Sequence, residues 1–293
     1  MPITIKDVSS HAGVSIKTVS RVINNEENVA ESTKSKVLAS VKKLGFKPNK
    51  NAQSLRSKRS YMIALLFDNP NKSYLADIQN GVLQVCKKTG YNLLLQECNY
   101  LDKNLSNSII NFVKDSKIDG LIITPPLSNI NDLLNNLELA DIQHTIITPS
   151  TKKISSLYVS SDDFDASYKM TKKIINLGHI KIGFVKGHEM HLTSSLRFSG
   201  FINAMDEHKL ERNYEWIIQG DYSFESGFQA GEKIFSRTER PTAIFASNDS
   251  MAAGVMKSAQ MKKILIPDEL SIIGFDDSLV AKQLWPSLST VKQ

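Results

Sequence analysis

From residue 61 onward, short aliphatic runs alternate with amphipathic stretches of helical length, and this alternation limits the possible folds more than any other feature of the chain. The strand-like runs are YMIALLFD (61–68), NLLLQE (92–97), DGLIIT (119–124), HTIIT (144–148), KIGFVK (181–186), WIIQG (216–220), PTAIFAS (241–247) and LSIIGFD (270–276). Between most of them lie helical stretches such as 74–89, 164–177, 195–208, 225–236 and 249–261. Continuous apolar strands separated by helices predict parallel sheets covered on both faces, because each parallel crossover carries a helix back over the sheet. The runs form two groups that meet near Ser150–Ser161, so the expected core is α/β, with two similar lobes and a cleft between them.

The first 60 residues have a different character. They hold 12 Lys/Arg against 4 Asp/Glu, whereas the rest holds 24 against 26, so the net charge of +6 belongs to the head. From Ser32 to Phe67 there are nine basic residues and no acid, a composition suited to neutralising phosphates. Three short helices are expected. Thr4 can cap the first, whose Ile5, Val8 and Ala12 follow a helical apolar pattern, and Gly13 supplies a turn. Ser15 can cap the second, with Val19, Val22 and Ile23 on one side and Lys17, Ser20, Arg21 and Asn24 on the other. The third carries Val37, Val41 and Leu44 inward and stops at Gly45. A helix, a tight turn with Gly and a second helix with a polar reading face form a helix-turn-helix arrangement, in which the second helix enters the major groove. This all-α head therefore points to double-stranded DNA as a partner.

The run ITIKDVSSHAGVSIKTVSRVINNEENVAESTKSKVLASVKKLGFKPN (3–49) resembles the head of the lactose/galactose-repressor (LacI/GalR) family of bacterial transcription factors. The resemblance implies that Ile16, Lys17 and Arg21 read bases, and that Ser15, Thr18, Ser20 and Asn24 mostly hold phosphates, with Thr4 also at the DNA. It departs at the third-helix cap, where Ala30 stands in place of the family's usual Ser; that should cost about 1 kcal/mol unless Glu31 or Ser32 substitutes. The segment NKNAQSLRS (49–57) is too polar to form a stable helix alone. By resemblance it becomes a hinge helix on DNA, with Leu55 wedged into the minor groove and Arg56 and Lys58 on the flanking phosphates. The implied organisation is a DNA-binding domain at 1–48, a hinge at 49–60 and a core at 61–293.

The core also resembles that family's periplasmic-binding-protein-like region, through NLGHIKIGFVKG, RFSGF, QGDYSFESGF, PTAIFASNDSMAAGVM and DELSIIGFDD. In such folds ligands bind outside the carboxyl ends of strands. Asp68, Asn248, Asp249, Asp276 and Asp277 stand there, Arg197 adds a rigid fork of donors, and Tyr222 offers an apolar ring face, a combination suited to a sugar. Of these, Asp68 is an expected effector contact on its position alone; the resemblance implies such contacts at Tyr74, Arg197, Tyr222, Asn248 and Asp276. Asp276 and Arg197 would anchor hydroxyls or an acidic group, while Asn248 or Asp249 could instead merely cap the following helix. The expected protein is a homodimeric repressor of carbohydrate-utilisation genes on a palindromic operator, released or engaged by a sugar-like effector.

Enzyme signatures are lacking: there is no GxSxG, Walker A or GxGxxG, and Gly227 and Gly231 sit at helix spacing. No catalytic residue, cofactor or metal is expected. His188-Glu189-Met190-His191 lacks the HExxH spacing that sets two imidazoles on one helix face. Cys86 and Cys98 read as reduced core thiols. The opening MPITIKDVSS does not read as a secretory signal, and no apolar run nears the roughly 18 residues of a spanning helix. These readings exclude a membrane partner and place the protein in the bacterial cytoplasm, at the nucleoid. A transport protein of similar core would carry a leader and no basic head. By the family pattern, the chain is expected to lack a few tens of C-terminal residues, leaving an apolar patch on the first lobe.

Overall fold

The computed structural model describes residues 3–24, 26, 29–46, 59–149 and 157–293. The chain divides into two compact units, Met1–Tyr61 and Met62–Gln293. In the first, α1 (Ile5–Ala12), α2 (Ile16–Ile23) and α3 (Glu31–Leu44) enclose Val8, Val19, Val22 and Val37. The Thr4 amide and hydroxyl both donate to the Asp7 carboxylate, at 2.8 and 2.7 Å, and fix the start of α1. Gly13, at φ +66°, ends α1 in a left-handed turn that a side chain would strain. Two residues on, the Ser15 hydroxyl accepts the Thr18 amide at 3.1 Å and starts α2. Ala30 makes no side-chain cap, and neither Glu31 nor Ser32 is found to replace one, so α3 begins on backbone bonds to the Ala30 carbonyl.

The second unit contains two parallel five-stranded sheets. The first comprises β1 (Met62–Phe67), β2 (Asn92–Glu97), β3 (Gly120–Ile123), β4 (His144–Ile147) and β5 (Leu157–Val159), in the order β2-β1-β3-β4-β5. Its helices are α4 (Lys72–Thr89), α5 (Leu105–Ser116) and α6 (Asn131–Leu139). The second comprises β6 (Ile182–Lys186), β7 (Ile217–Gln219), β8 (Ala243–Ala246), β9 (Ser271–Asp276) and β10 (Ser289–Lys292), in the equivalent order β7-β6-β8-β9-β10. Around it lie α7 (Asp163–Asn176), α8 (Leu192–Glu207), α9 (Phe224–Phe235), α10 (Asp249–Met261) and the short α11 (Leu279–Gln283). In both sheets the order reverses beside the first strand, at β1/β3 and β6/β8, so each lobe has a crevice at its strand carboxyl ends.

The second sheet is covered on both faces, as the apolar runs predict. One face buries Val185, Ile244 and Ala246 under α9 and α10, and the other buries Phe184, Phe245 and Phe275 with Phe201 and Met205 of α8. The first sheet differs. Ala64, Leu66, Leu121 and Ile123 pack under α5 and α6, but beside α4 a hollow of about 490 Å³ remains, lined by Ile63, Val82, Val85, Cys86 and Ile122 among others. Burial is thus less complete on this face than the strand pattern implies. Cys86 is buried and Cys98 half-buried, both free. No described helix is long and apolar enough to cross a membrane.

Candidate functional site

The outward face of α2 carries most of the residues expected at the DNA. Ser15, Ile16, Lys17, Arg21 and Asn24 are exposed and Thr18 is half-buried, its hydroxyl 2.9 Å from that of Ser15. Ser20 departs from the expected exposed face: it is only 7 % exposed, beside Val19 and Val22. The Asn24 amide donates to it at 3.5 Å. Arg21 lies 3.7 Å from Glu26 with both side chains half in solvent, a pairing weak enough to yield to a stronger acceptor. Leu55, Arg56 and Lys58 lie outside the described residues.

The core site is a cavity between the two sets of strand carboxyl ends, and it is built around Arg197. This residue is buried on α8, one turn inside the helix. Its Nε donates to Asp163 Oδ1 at 2.7 Å, and its Nη1 to the Ser247 carbonyl at 2.5 Å and to Asp276 Oδ1 at 3.5 Å. The guanidinium also stacks 3.6 Å above the centre of the Phe275 ring. Burial works against its charge, but Asp276, Tyr222 and Asp163 together raise its pKa, so it stays protonated.

Asp276 ends β9 at φ +115°, a conformation that few side chains adopt, and this turn brings its carboxylate into the cavity. Burial pushes its pKa up to about 7, although Arg197 and the Asn71 hydrogen bond pull the other way. The Asn71 amide donates to Asp276 Oδ2 at 3.2 Å, linking the first lobe to the second, while its Oδ1 accepts the Tyr74 amide and caps α4. Tyr74 and Tyr222 line the same cavity. The Tyr222 hydroxyl is 3.0 Å from that of Thr193, and burial raises both tyrosine pKa values, keeping the rings neutral.

Two expected contacts are absent from this lining. Asp68 accepts the Tyr100 amide at 2.7 Å and serves the loop after β2. Asn248 is fully buried as the cap of α10, taking the Met251 amide at 2.8 Å and donating to the Tyr222 carbonyl at 2.9 Å. Its carboxamide is buried away from the cavity lining and engaged in these two bonds, through which it holds Tyr222 in place. Asp249 is likewise structural, accepting from the Ser278 amide and the Thr290 hydroxyl, and Asp277 pairs with Lys282.

Asn71, Thr193 and His191 also line the cavity, and residue types alone did not single them out. They stand four to seven residues beyond the ends of β1 and β6, further into the loops than the strand-end positions themselves. His191 is 3 % exposed, 5.3 Å from the Tyr222 ring and 5.2 Å from that of His188, and its Nε2 has no hydrogen-bond partner. Burial, His188 and Arg197 lower its pKa to about 3, so the imidazole is neutral. Among the described residues no cluster of His, Cys, Asp or Glu could hold a metal. The cavity measures about 30 Å³, room for a water or two, so a larger ligand needs the lining to rearrange.

Residues 4–49 match the family described as bacterial regulatory proteins, lacI family, and residues 171–293 match a periplasmic binding protein-like domain. The chain is 33% identical to the HTH-type transcriptional repressor PurR of Vibrio cholerae, over 99% of this chain and 86% of that protein. It is equally 33% identical to the probable HTH-type transcriptional repressor ExuR of Bacillus subtilis, again over 99% and 86%. Among solved structures, the Lac repressor bound to ONPG in its repressed state superposes with a TM-score of 0.80, at 25% identity, over 100% of this chain and 88% of that one.

Proposed function

The chain belongs to the LacI family of bacterial regulatory proteins and is a DNA-binding transcriptional regulator controlled by a small-molecule effector; from that premise we propose that it is a homodimeric repressor of carbohydrate-utilisation genes. The observation that carries the effector assignment is the buried Arg197–Asp163–Asp276 network at the strand ends, joined to the first lobe through Asn71. Carboxylate, amide and hydroxyl groups beside the rings of Tyr74 and Tyr222 suit vicinal hydroxyls stacked on an apolar face. The Lac repressor relative holds ONPG in its solved complex.

In this reading, Ile16, Lys17 and Arg21 meet base edges, while Thr4, Ser15, Thr18 and Asn24 hold the backbone from residues 1–48. Leu55 and Arg56 act from a hinge at 49–60, and the core at 61–293 binds effector and pairs the subunits. Paired heads require an operator with two-fold symmetry. The protein acts in the cytoplasm, at the nucleoid.

Selection of bound fragments from random duplex DNA, with and without a panel of sugars, tests the reading. A palindromic consensus whose recovery changes with a sugar supports it, and recovery without sequence preference contradicts it. On the selected duplex, Arg21→Ala should cost about 1–3 kcal/mol and relax one position of each half-site. Equal losses on specific and random DNA would remove Arg21 from base reading.

A further inference from the structure

The charges around the cavity narrow the kind of effector, given that the cavity is the effector site. Among the described residues Arg197 is the one cationic side chain that lines it, and its guanidinium already faces Asp163 at 2.7 Å and Asp276 at 3.5 Å. Asp163 is fully buried and has no other cation within reach among the described residues, so its carboxylate is set against Arg197 alone. Whether or not Asp276 keeps its proton, the cavity has no surplus positive charge. The remaining polar groups used here, those of Asn71, Tyr74, Thr193 and Tyr222, are uncharged.

His191 is the group left over. It is nearly fully buried, belongs to the cavity wall, and holds the unpartnered Nε2. A buried polar atom with no partner is costly, and a ligand that supplies the missing hydrogen bond recovers that cost. An imidazolium could have welcomed an anion, but this ring is held neutral by burial and by the neighbouring His188 and Arg197. A neutral ring nitrogen either donates to or accepts from a hydroxyl equally well.

We infer that the cleft selects an uncharged, hydroxyl-rich ligand over its anionic counterpart, and that His191 is a specificity-determining residue of that choice. An acidic sugar would bring a carboxylate into a closed space where Arg197 is already matched and Asp276 is adjacent, leaving a buried charge unpaired. The same geometry leaves a hydroxyl free to pair with Nε2.

The test is calorimetric titration of the 293-residue chain with matched pairs: glucose against glucuronate, galactose against galacturonate, and glucose against glucose 6-phosphate. The neutral member of whichever pair binds should be tighter by roughly a hundredfold or more. His191→Arg, which adds an unmatched cation to the wall, should narrow or reverse that ratio, a change that general loosening of the fold would not produce. His191→Gln, the milder variant, should weaken the neutral sugar and still reject the acid. An acid that binds wild type as tightly as its neutral partner overturns the charge selection. A ratio unchanged in His191→Arg, or neutral affinity unchanged in His191→Gln, removes His191 from specificity. Failure of every sugar, neutral and acidic, to bind overturns the carbohydrate reading itself, and the inference with it.

Discussion

Asp276 and His191 titrate in opposite directions, and their signs can be separated by mutation. The Asp276 pKa is raised from 3.8 to about 7, so its contribution to stability is present below pH 3.8 and is lost as pH rises through 7. The His191 pKa is lowered from 6.5 to about 3, so its contribution is present above pH 6.5 and is lost as pH falls through 3. Between pH 4 and 6.5 the two slopes oppose one another, each at most about 1.4 kcal/mol per pH unit. Denaturant unfolding across that range should therefore show Asp276→Asn losing stability on acidification and His191→Gln gaining it. Parallel profiles for the two variants would contradict the assignment. At this scale the sequence was partly legible. Arg197, Tyr74, Tyr222 and Asp276 meet at one cavity, as expected from strand ends and resemblance. Asp68 and Asn248 stand at equally suitable strand ends but are turned to local amides. Which polar residue faces the cleft depends on backbone twists such as φ +115° at Asp276, and no residue pattern encodes those.

Elements were easier to read where their apolar runs are long. All eight anticipated strands are present within a residue or two of their expected ends, whereas β5 and β10, of three and four residues, have no comparable run and escaped notice. Ser20 shows the limit of a helical wheel: on an eight-residue helix wedged between two others, the buried arc is wide enough to take in a small polar residue. The uncapped start of α3 gives a direct prediction. Ala30→Asp should stabilise that helix by about 1 kcal/mol, visible as slower amide exchange through 31–44, and unchanged exchange would mean that the backbone bonds already suffice. Two glycines give a second. A Cβ at Gly254 would collide with the Phe224 carbonyl and the Phe228 amide where α9 crosses α10, whereas at Gly81 on α4 it would meet nothing within 4 Å. Gly254→Ala should destabilise the core by about 1–3 kcal/mol or more, and Gly81→Ala should stabilise it by about 0.5–1 kcal/mol, in thermal unfolding. Similar shifts in both would show that the helix crossing is looser than its geometry implies.

At the scale of the whole molecule, the chain joins a DNA-reading unit to a two-lobed sensor, and the two are coupled by linkage. An effector that favours one arrangement of the lobes changes operator affinity only as far as the two arrangements differ in their hold on DNA. The Asn71–Asp276 bond across the cavity ties the two lobes together at the site. The two-unit plan was legible early because charge and periodicity both change near residue 60. The tie between the lobes was not, since it arises from side chains far apart in sequence. The most direct test is operator binding by wild type and Asp276→Ala, measured by anisotropy on the selected duplex while a binding sugar is titrated. Equal affinity without sugar is expected, with a sugar-dependent change in wild type and no such change in Asp276→Ala. The same sugar response in both proteins would contradict that expectation.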